Sequence, residues 1–247
     1  MNIGQEEIQQ NLDCFNNFVG YGNPDAKFWF IGIEEHSSDK TEDIDWEEEK
    51  NRMDIYKRNY TGSPYFLTNQ DFIELNEKYS KNITYEGVKN LYNKFNKLNK
   101  IESNEIGDGN TDLFIANLFP LGRATTNDNY NTFVRQMIFK GNFDEWYQSH
   151  WTDREKVLSS FLKQYFFNDC KQQKFLFCLG TSQWYLFEHL FGLLKVNEKF
   201  CFETKIIQDS KKYYGYTKME GKDIYCLYHP SSSQFRNTNY RYIDSIE

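Results

Sequence analysis

Lys27-Phe28-Trp29-Phe30-Ile31-Gly32-Ile33 (KFWFIGI), running into Glu34-Glu35-His36, is the stretch on which the reading of the fold turns. A near-continuous apolar run with polar flanks suits a strand covered on both faces, as in a parallel sheet. Three more runs have the same character: Asp112–Leu118 (DLFIANL), Lys174–Leu179 (KFLFCL) and Asp223–Tyr228 (DIYCLY). Between and before them the apolar spacing turns helical. Val88, Leu91, Tyr92, Phe95 and Leu98 make one stripe. Val157, Phe161, Leu162 and Tyr165 make a second, behind a capping box of Thr152 and Glu155. Ile8, Leu12, Phe15 and Val19 share one face of a helix that opens the chain. Strands separated by helices predict an α/β fold, a three-layer α/β/α sandwich around a central, mainly parallel four-stranded sheet. No repeat, Pro/Ser linker or low-complexity tract marks a boundary, so residues 1–247 read as a single domain.

Composition narrows the function classes. A chain of 247 residues can bury a substantial core, and aromatics at 18% supply core volume and surfaces for base stacking. The five cysteines (Cys14, Cys170, Cys178, Cys201, Cys226) show no CxxC pair. That argues against a disulfide framework, a zinc ribbon or an iron–sulfur cluster, and fits reduced thiols in a cytoplasmic protein. His150 and His189 have no metal-ligand partners at suitable spacing, so neither a metal nor a cofactor is expected. No apolar run approaches the ~20 residues of a membrane span, and no membrane partner is expected. The net charge of −7 is unevenly spread. Residues 1–54 hold 14 acidic and 4 basic side chains, and the remaining 193 hold 22 and 25. A phosphate backbone would have to meet the second portion.

Ligands of open parallel sheets bind outside the carboxyl ends of the strands, so the residues after each run matter most. The first run ends in Gly32-Ile33-Glu34-Glu35-His36, and the second carries Asn117 ahead of Pro120. The third ends in Gly180-Thr181-Ser182-Gln183, the fourth in His229-Pro230-Ser231-Ser232-Ser233-Gln234-Phe235-Arg236. Carboxylates, an amide and an imidazole thus fall on one edge. Each also has a plainer reading. Adjacent acids after a strand are often solvated, and His229 before Pro can simply start a turn. Asn117 can serve as a turn residue, and Gly180 with Thr181 or Ser182 makes an ordinary strand-to-helix turn.

In this order the segments resemble the motifs of the uracil-DNA glycosylase superfamily, over residues 20–240. His229-Pro230-Ser231 resembles its leaving-group and DNA-pinching loop, and Gly32-Ile33-Glu34-Glu35 looks like its water-activating loop. Asn117 matches its base-reading asparagine, and Leu179-Gly180 its LG turn. The resemblance implies a DNA glycosylase that hydrolyses an N-glycosidic bond and leaves an abasic site. DNA is the implied partner, its target base extruded from the duplex or taken in single strand, and the protein would act as a monomer. Glu34, with Glu35 as rival, would orient water and stabilise positive charge on the sugar. His229 would donate a hydrogen bond to the departing base. Asn117 would read the base edge, with Gly32, His36 and Gly180 beside it. Ser231, Ser232 and Ser233 would approach phosphates, with Arg236 as a nearby cation.

The chain departs from the family in places that bear on substrate. Glu35 replaces the usual proline, and His36 stands where uracil-specific members place a shielding tyrosine. The apolar wedge falls on Ser233, leaving Phe235 for that role or the wedge missing. The long connection after Glu35 is aromatic-rich (Tyr56, Tyr60, Tyr65, Phe66), and its base-stacking residue is unassigned. It has the make-up to enclose more than uracil. The expected substrate is a modified or damaged pyrimidine. One form is a bulky 5-modified cytosine, such as the glucosylated hydroxymethylcytosine of some bacteriophage DNA, cut in antiviral defence; the other is uracil or a deaminated base removed in repair. A catalytically silent binding protein of the same fold and a hydrolase of free nucleosides stay open beside these.

Overall fold

The computed structural model describes residues 4–36, 42–68, 71, 83–95, 112–123, 129–168, 172–180, 183–194, 200–206 and 213–228; for Glu34, Glu35 and His36 it describes the backbone. In chain order the elements are α1 (Gln5–Asn17), β1 (Phe18–Gly22), β2 (Phe28–His36), α2 (Glu42–Asn59), β3 (Tyr65–Leu67), α3 (Ile83–Phe95), β4 (Leu113–Arg123), α4 (Phe143–Phe161), β5 (Phe175–Leu179), α5 (Trp184–Gly192), β6 (Glu203–Ile206), β7 (Tyr213–Met219) and β8 (Lys222–Leu227). They build an α/β fold on one mixed sheet of order β3-β1-β4-β2-β5-β8-β7-β6.

All four apolar runs become strands, and they are neighbours. β4, β2, β5 and β8 form a continuous parallel block. β2 lies inside it, hydrogen-bonded along both edges, and helices meet both of its faces. Successive side chains on a strand point to opposite sides. Trp29 packs on Phe114 and on Phe161 of α4, with ring centroids 4.3 and 6.0 Å away. Phe28, one residue earlier, meets Tyr92 of α3 at 5.3 Å. On that second side in-register rings stack from strand to strand, Phe30 on Phe177 at 5.0 Å and Phe177 on Tyr225 at 5.3 Å.

The sheet is larger than the expected four strands. Among the described residues it has eight, with β1 and β3 added beyond β4 and with β7 and β6 added beyond β8. β3 is only three residues long, and the other three were hidden for physical reasons. Val19, read as part of the first helical stripe, belongs to β1. α1 stops at Asn17 because Phe18 is extended (φ −70°, ψ 120°) and two glycines follow within four residues. β6 and β7 are polar and in part exposed, so they carry no apolar run. β7 returns into β8 through Glu220-Gly221, both at positive φ (49° and 78°), the geometry of a two-residue hairpin turn.

Element ends also shift. β2 and β4 run on through Glu34–His36 and Phe119–Arg123, stretches expected to be loops, because each gives the other a partner there. Pro120 is tolerated in β4 because it lies past the last residue paired with β1, Ala116. α4 begins at Phe143, where Asn142 caps it by accepting from the Glu145 amide at 3.0 Å. Thr152 and Glu155 are therefore mid-helix, not a capping box. Of the α3 stripe, Val88, Leu91 and Tyr92 are buried as expected, and Leu98 lies outside the described residues.

The end of α2 is tied to the chain after β3 through one carboxylate. Asp71 accepts from Arg58 at 2.8 Å, from Thr68 at 2.9 Å and from Asn59 at 3.3 Å. Burial raises its pKa, but these donors outweigh burial and hold it below the ordinary carboxylate range. A depressed folded-state pKa adds stability that is complete above the unfolded value and lost as pH falls through the folded one. Arg58 is half-exposed, so Asp71→Asn should cost about 1 kcal/mol at neutral pH. In urea titrations the gap to wild type should close below about pH 4; a gap constant to pH 2 would show that Asp71 is not its source.

A second prediction tests the β1–β4 contact. A Cβ on Gly20 would lie 2.1 Å from the Ile115 carbonyl oxygen, so Gly20→Ala should destabilise by about 2 kcal/mol or more. Nothing lies within 4 Å of the same position on Gly192, so Gly192→Ala should be neutral or gain up to about 1 kcal/mol. Urea midpoints at unchanged m value would check both.

Candidate active site

Taken in chain order, the parallel block runs second-first-third-fourth. The chain leaves β2 to one side and returns to the other, so the topological switch lies between β2 and β5, at their carboxyl ends. One register row crosses the sheet there: Asn117 beside Gly32, Gly32 beside Leu179, Leu179 beside Leu227. Just past it the Gly180 amide donates to the Leu227 carbonyl at 2.7 Å and closes β5 onto β8.

The row has bare backbone at two points. A Cβ on Gly32 would stand 2.5 Å from Asn117 Oδ1, so the half-buried Asn117 amide lies on space that only glycine leaves open. Gly180 is at φ +149°, where a Cβ would stand 2.9 Å from Ile33 Cγ1. Glycine is needed there for both backbone and space. The Asn117 amide, with its donor and acceptor, thus lies on the bare backbone of Gly32, while Gly180 turns its bare side to Ile33 on the other face of the sheet.

Of the residues singled out in the sequence, Gly32 and Asn117 are thus brought together, and Gly180 lies one position past the same row. Glu34, Glu35 and His36 belong to β2 itself. Glu34 pairs with Phe119, and the register shifts before His36 reaches Arg123. His229, Ser231, Ser232, Ser233, Phe235 and Arg236 lie outside the described residues; Leu227, two positions before His229, ends β8 in the row above. The aromatic connection is largely spent on packing. Tyr56 and Tyr65 are buried, Tyr56 stacking on Phe18 at 4.5 Å, and Phe66 packs on Phe114 and Phe161.

One residue at this edge escaped the sequence reading. Arg154 of α4 is fully buried, and all three of its side-chain nitrogens donate to backbone carbonyls. Nε reaches Leu118 at 3.0 Å and Nη2 reaches Asn117 at 2.7 Å. Nη1 reaches Asn16 at 2.8 Å and Phe18 at 2.5 Å. The signal was in the spacing, since Trp146, Trp151, Leu158 and Phe161 form the buried stripe of α4 and Arg154 falls on it. Starting the helix at Thr152 concealed that stripe.

His189 of α5 and Glu155 of α4 join the two helices at 2.9 Å; burial pushes the Glu155 carboxyl up and the imidazole partly offsets it. Burial pushes the Cys178 and Cys226 thiols up, which keeps both protonated. Among the described residues no three His, Cys, Asp or Glu side chains gather as a metal cage, and no helix is long and apolar enough to cross a membrane. No family model matches the chain, and no curated protein matches it.

The close approach is testable. Gly32→Ala must displace the Asn117 amide, the far end of a flexible side chain, at a stability cost of about 1 kcal/mol. The side-chain amide resonances of Asn117 should shift in a 15N–1H spectrum. Resonances that stay in place would mean the amide does not lie on Gly32.

Proposed function

We propose that this chain is a DNA N-glycosylase of the uracil-DNA glycosylase type, removing a modified or damaged pyrimidine extruded from DNA. The observation that carries the reading is the Asn117 amide on the bare backbone of Gly32, at the carboxyl end of a strand that borders the switch point. An amide so placed can pair with a pyrimidine edge through one donor and one acceptor. Gly32, Gly180 and Asn117 belong to segments that resemble the family's motifs.

In this reading Glu34 takes a proton from water while the water oxygen attacks C1′. The C1′–N1 bond breaks, its electron pair leaves with the base, and His229 donates a hydrogen bond to the base oxygen where negative charge gathers. The base departs and an abasic site remains. The phosphates meet the loop of Ser231, Ser232, Ser233 and Arg236, in the part of the chain with a slight basic excess.

The test is a set of matched oligonucleotides carrying uracil, hypoxanthine, hydroxymethylcytosine or its glucosylated form, with abasic sites read as alkali-labile breaks. Release of the glucosylated base supports a role in defence against phage, and release of uracil or hypoxanthine supports repair. Binding without release from any oligonucleotide leaves a silent reader of bases and ends the catalytic reading. On whichever base is released, Glu34→Gln should slow release by about 10²–10⁴-fold while DNA affinity survives. Full activity of both Glu34→Gln and Glu35→Gln would rule out the carboxylate mechanism.

A further inference from the structure

We propose that Arg154 is the positioning residue of this site, fixing from inside α4 the stretch of β4 that carries Asn117. The inference rests on the reading of Asn117 as the group that meets the ligand. The ladder between β1 and β4 is regular from Gly22 opposite Phe114 to Gly20 opposite Ala116, and there it ends. Past that pair, the carbonyls of Asn117 and Leu118 on one side and of Phe18 and Asn16 on the other all accept from the same guanidinium. Arg154 thus stands where the ladder would have continued. The peptide of Asn117 is held on one side by β2 and on the other by a charged, planar fork rather than by strand β1.

That difference matters for a group that must present an amide accurately. A guanidinium offers several donors in fixed directions, and hydrogen bonds from a charged donor are about twice as strong as neutral ones. A misplacement of about 1 Å at a reacting centre can cost about 10²-fold in rate. A lysine keeps the charge but cannot span four carbonyls, and a methionine fills the space without donating. If Arg154 only joined α1 to the sheet, its loss would lower stability and leave the Asn117 amide and the catalytic step alone.

The experiment compares the full-length wild type, Arg154→Lys and Arg154→Met. Urea unfolding, 15N–1H spectra with the Asn117 side-chain amide assigned, and base release with its kcat and KM are measured for each. Arg154→Lys is expected to stay folded, with signals of the distant β7–β8 hairpin unchanged and those of the Asn117 amide shifted or broadened. Its kcat should fall about 10²-fold on the base the wild type releases, with KM little changed. A folded Arg154→Lys with an unmoved Asn117 amide, or with its loss confined to KM, overturns the inference. If the wild type releases no base from any oligonucleotide, the glycosylase reading falls, and the spectra alone decide the positioning role. If neither variant folds, the same oligonucleotides are titrated into wild type. The Asn117 amide and the Arg154 Nε–H signals should then move with one midpoint, and an Arg154 signal that stays still while Asn117 moves, or an Asn117 amide that none of them moves, overturns the inference.

Discussion

A guanidinium in the middle of a protein has to be surrounded by acceptors, and much of this fold follows from satisfying one. Transferring an isolated charge into a low-dielectric interior costs tens of kcal/mol in the ideal case, so Arg154 is tolerable only with its nitrogens engaged. The carbonyls that engage it come from three elements. Asn16 lies in the last turn of α1, Phe18 opens β1, and Asn117 with Leu118 belongs to β4. The last carbonyls of a helix lack partners within it, and α1 has no basic residue in its last turn. Arg154 supplies from α4 the positive group that such a helix end favours.

Around that anchor the sheet is held by aromatic packing on both faces of its parallel block. The Trp29, Phe114 and Phe161 cluster lies on the side of α4, and the rings of Phe30, Phe177 and Tyr225 step across three strands on the other. Stacked rings of this kind resist sliding of one strand past another, because a shift by one residue would turn each ring to the opposite face. The register row at the carboxyl edge is therefore set by packing well below it.

The strands most legible in the sequence are those covered on both faces, since double burial demands the apolar runs that give them away. β1 was missed because it follows α1 without a break and Val19 continues the helical spacing, and β6 because three of its four residues are exposed. The candidate site was legible where it depended on position near the carboxyl end of an apolar run, as with Gly32 and Asn117. Arg154 was not, because a charged side chain on a helix reads as solvent-facing unless the apolar stripe on either side of it is traced first. The acids after Ile33 were expected in a loop, whereas pairing with β4 extends β2 through them.

The order of strands also governs when the edge can exist at all. The contacts that build it join residues far apart in the chain, 138 positions for Arg154 and Asn16 and 37 for Arg154 and Asn117. Long-range pairings of this kind cost loop-closure entropy before they return any energy, and parallel strands form slowly for that reason. β8 is the last described strand in the chain, yet it sits between β5 and β7. Its turn with β7 is local and can close early, whereas its docking on β5 joins strands far apart in the chain and completes the parallel block. During synthesis, a chain whose residue 227 has not yet left the ribosome therefore holds only part of the row from Asn117 to Leu227.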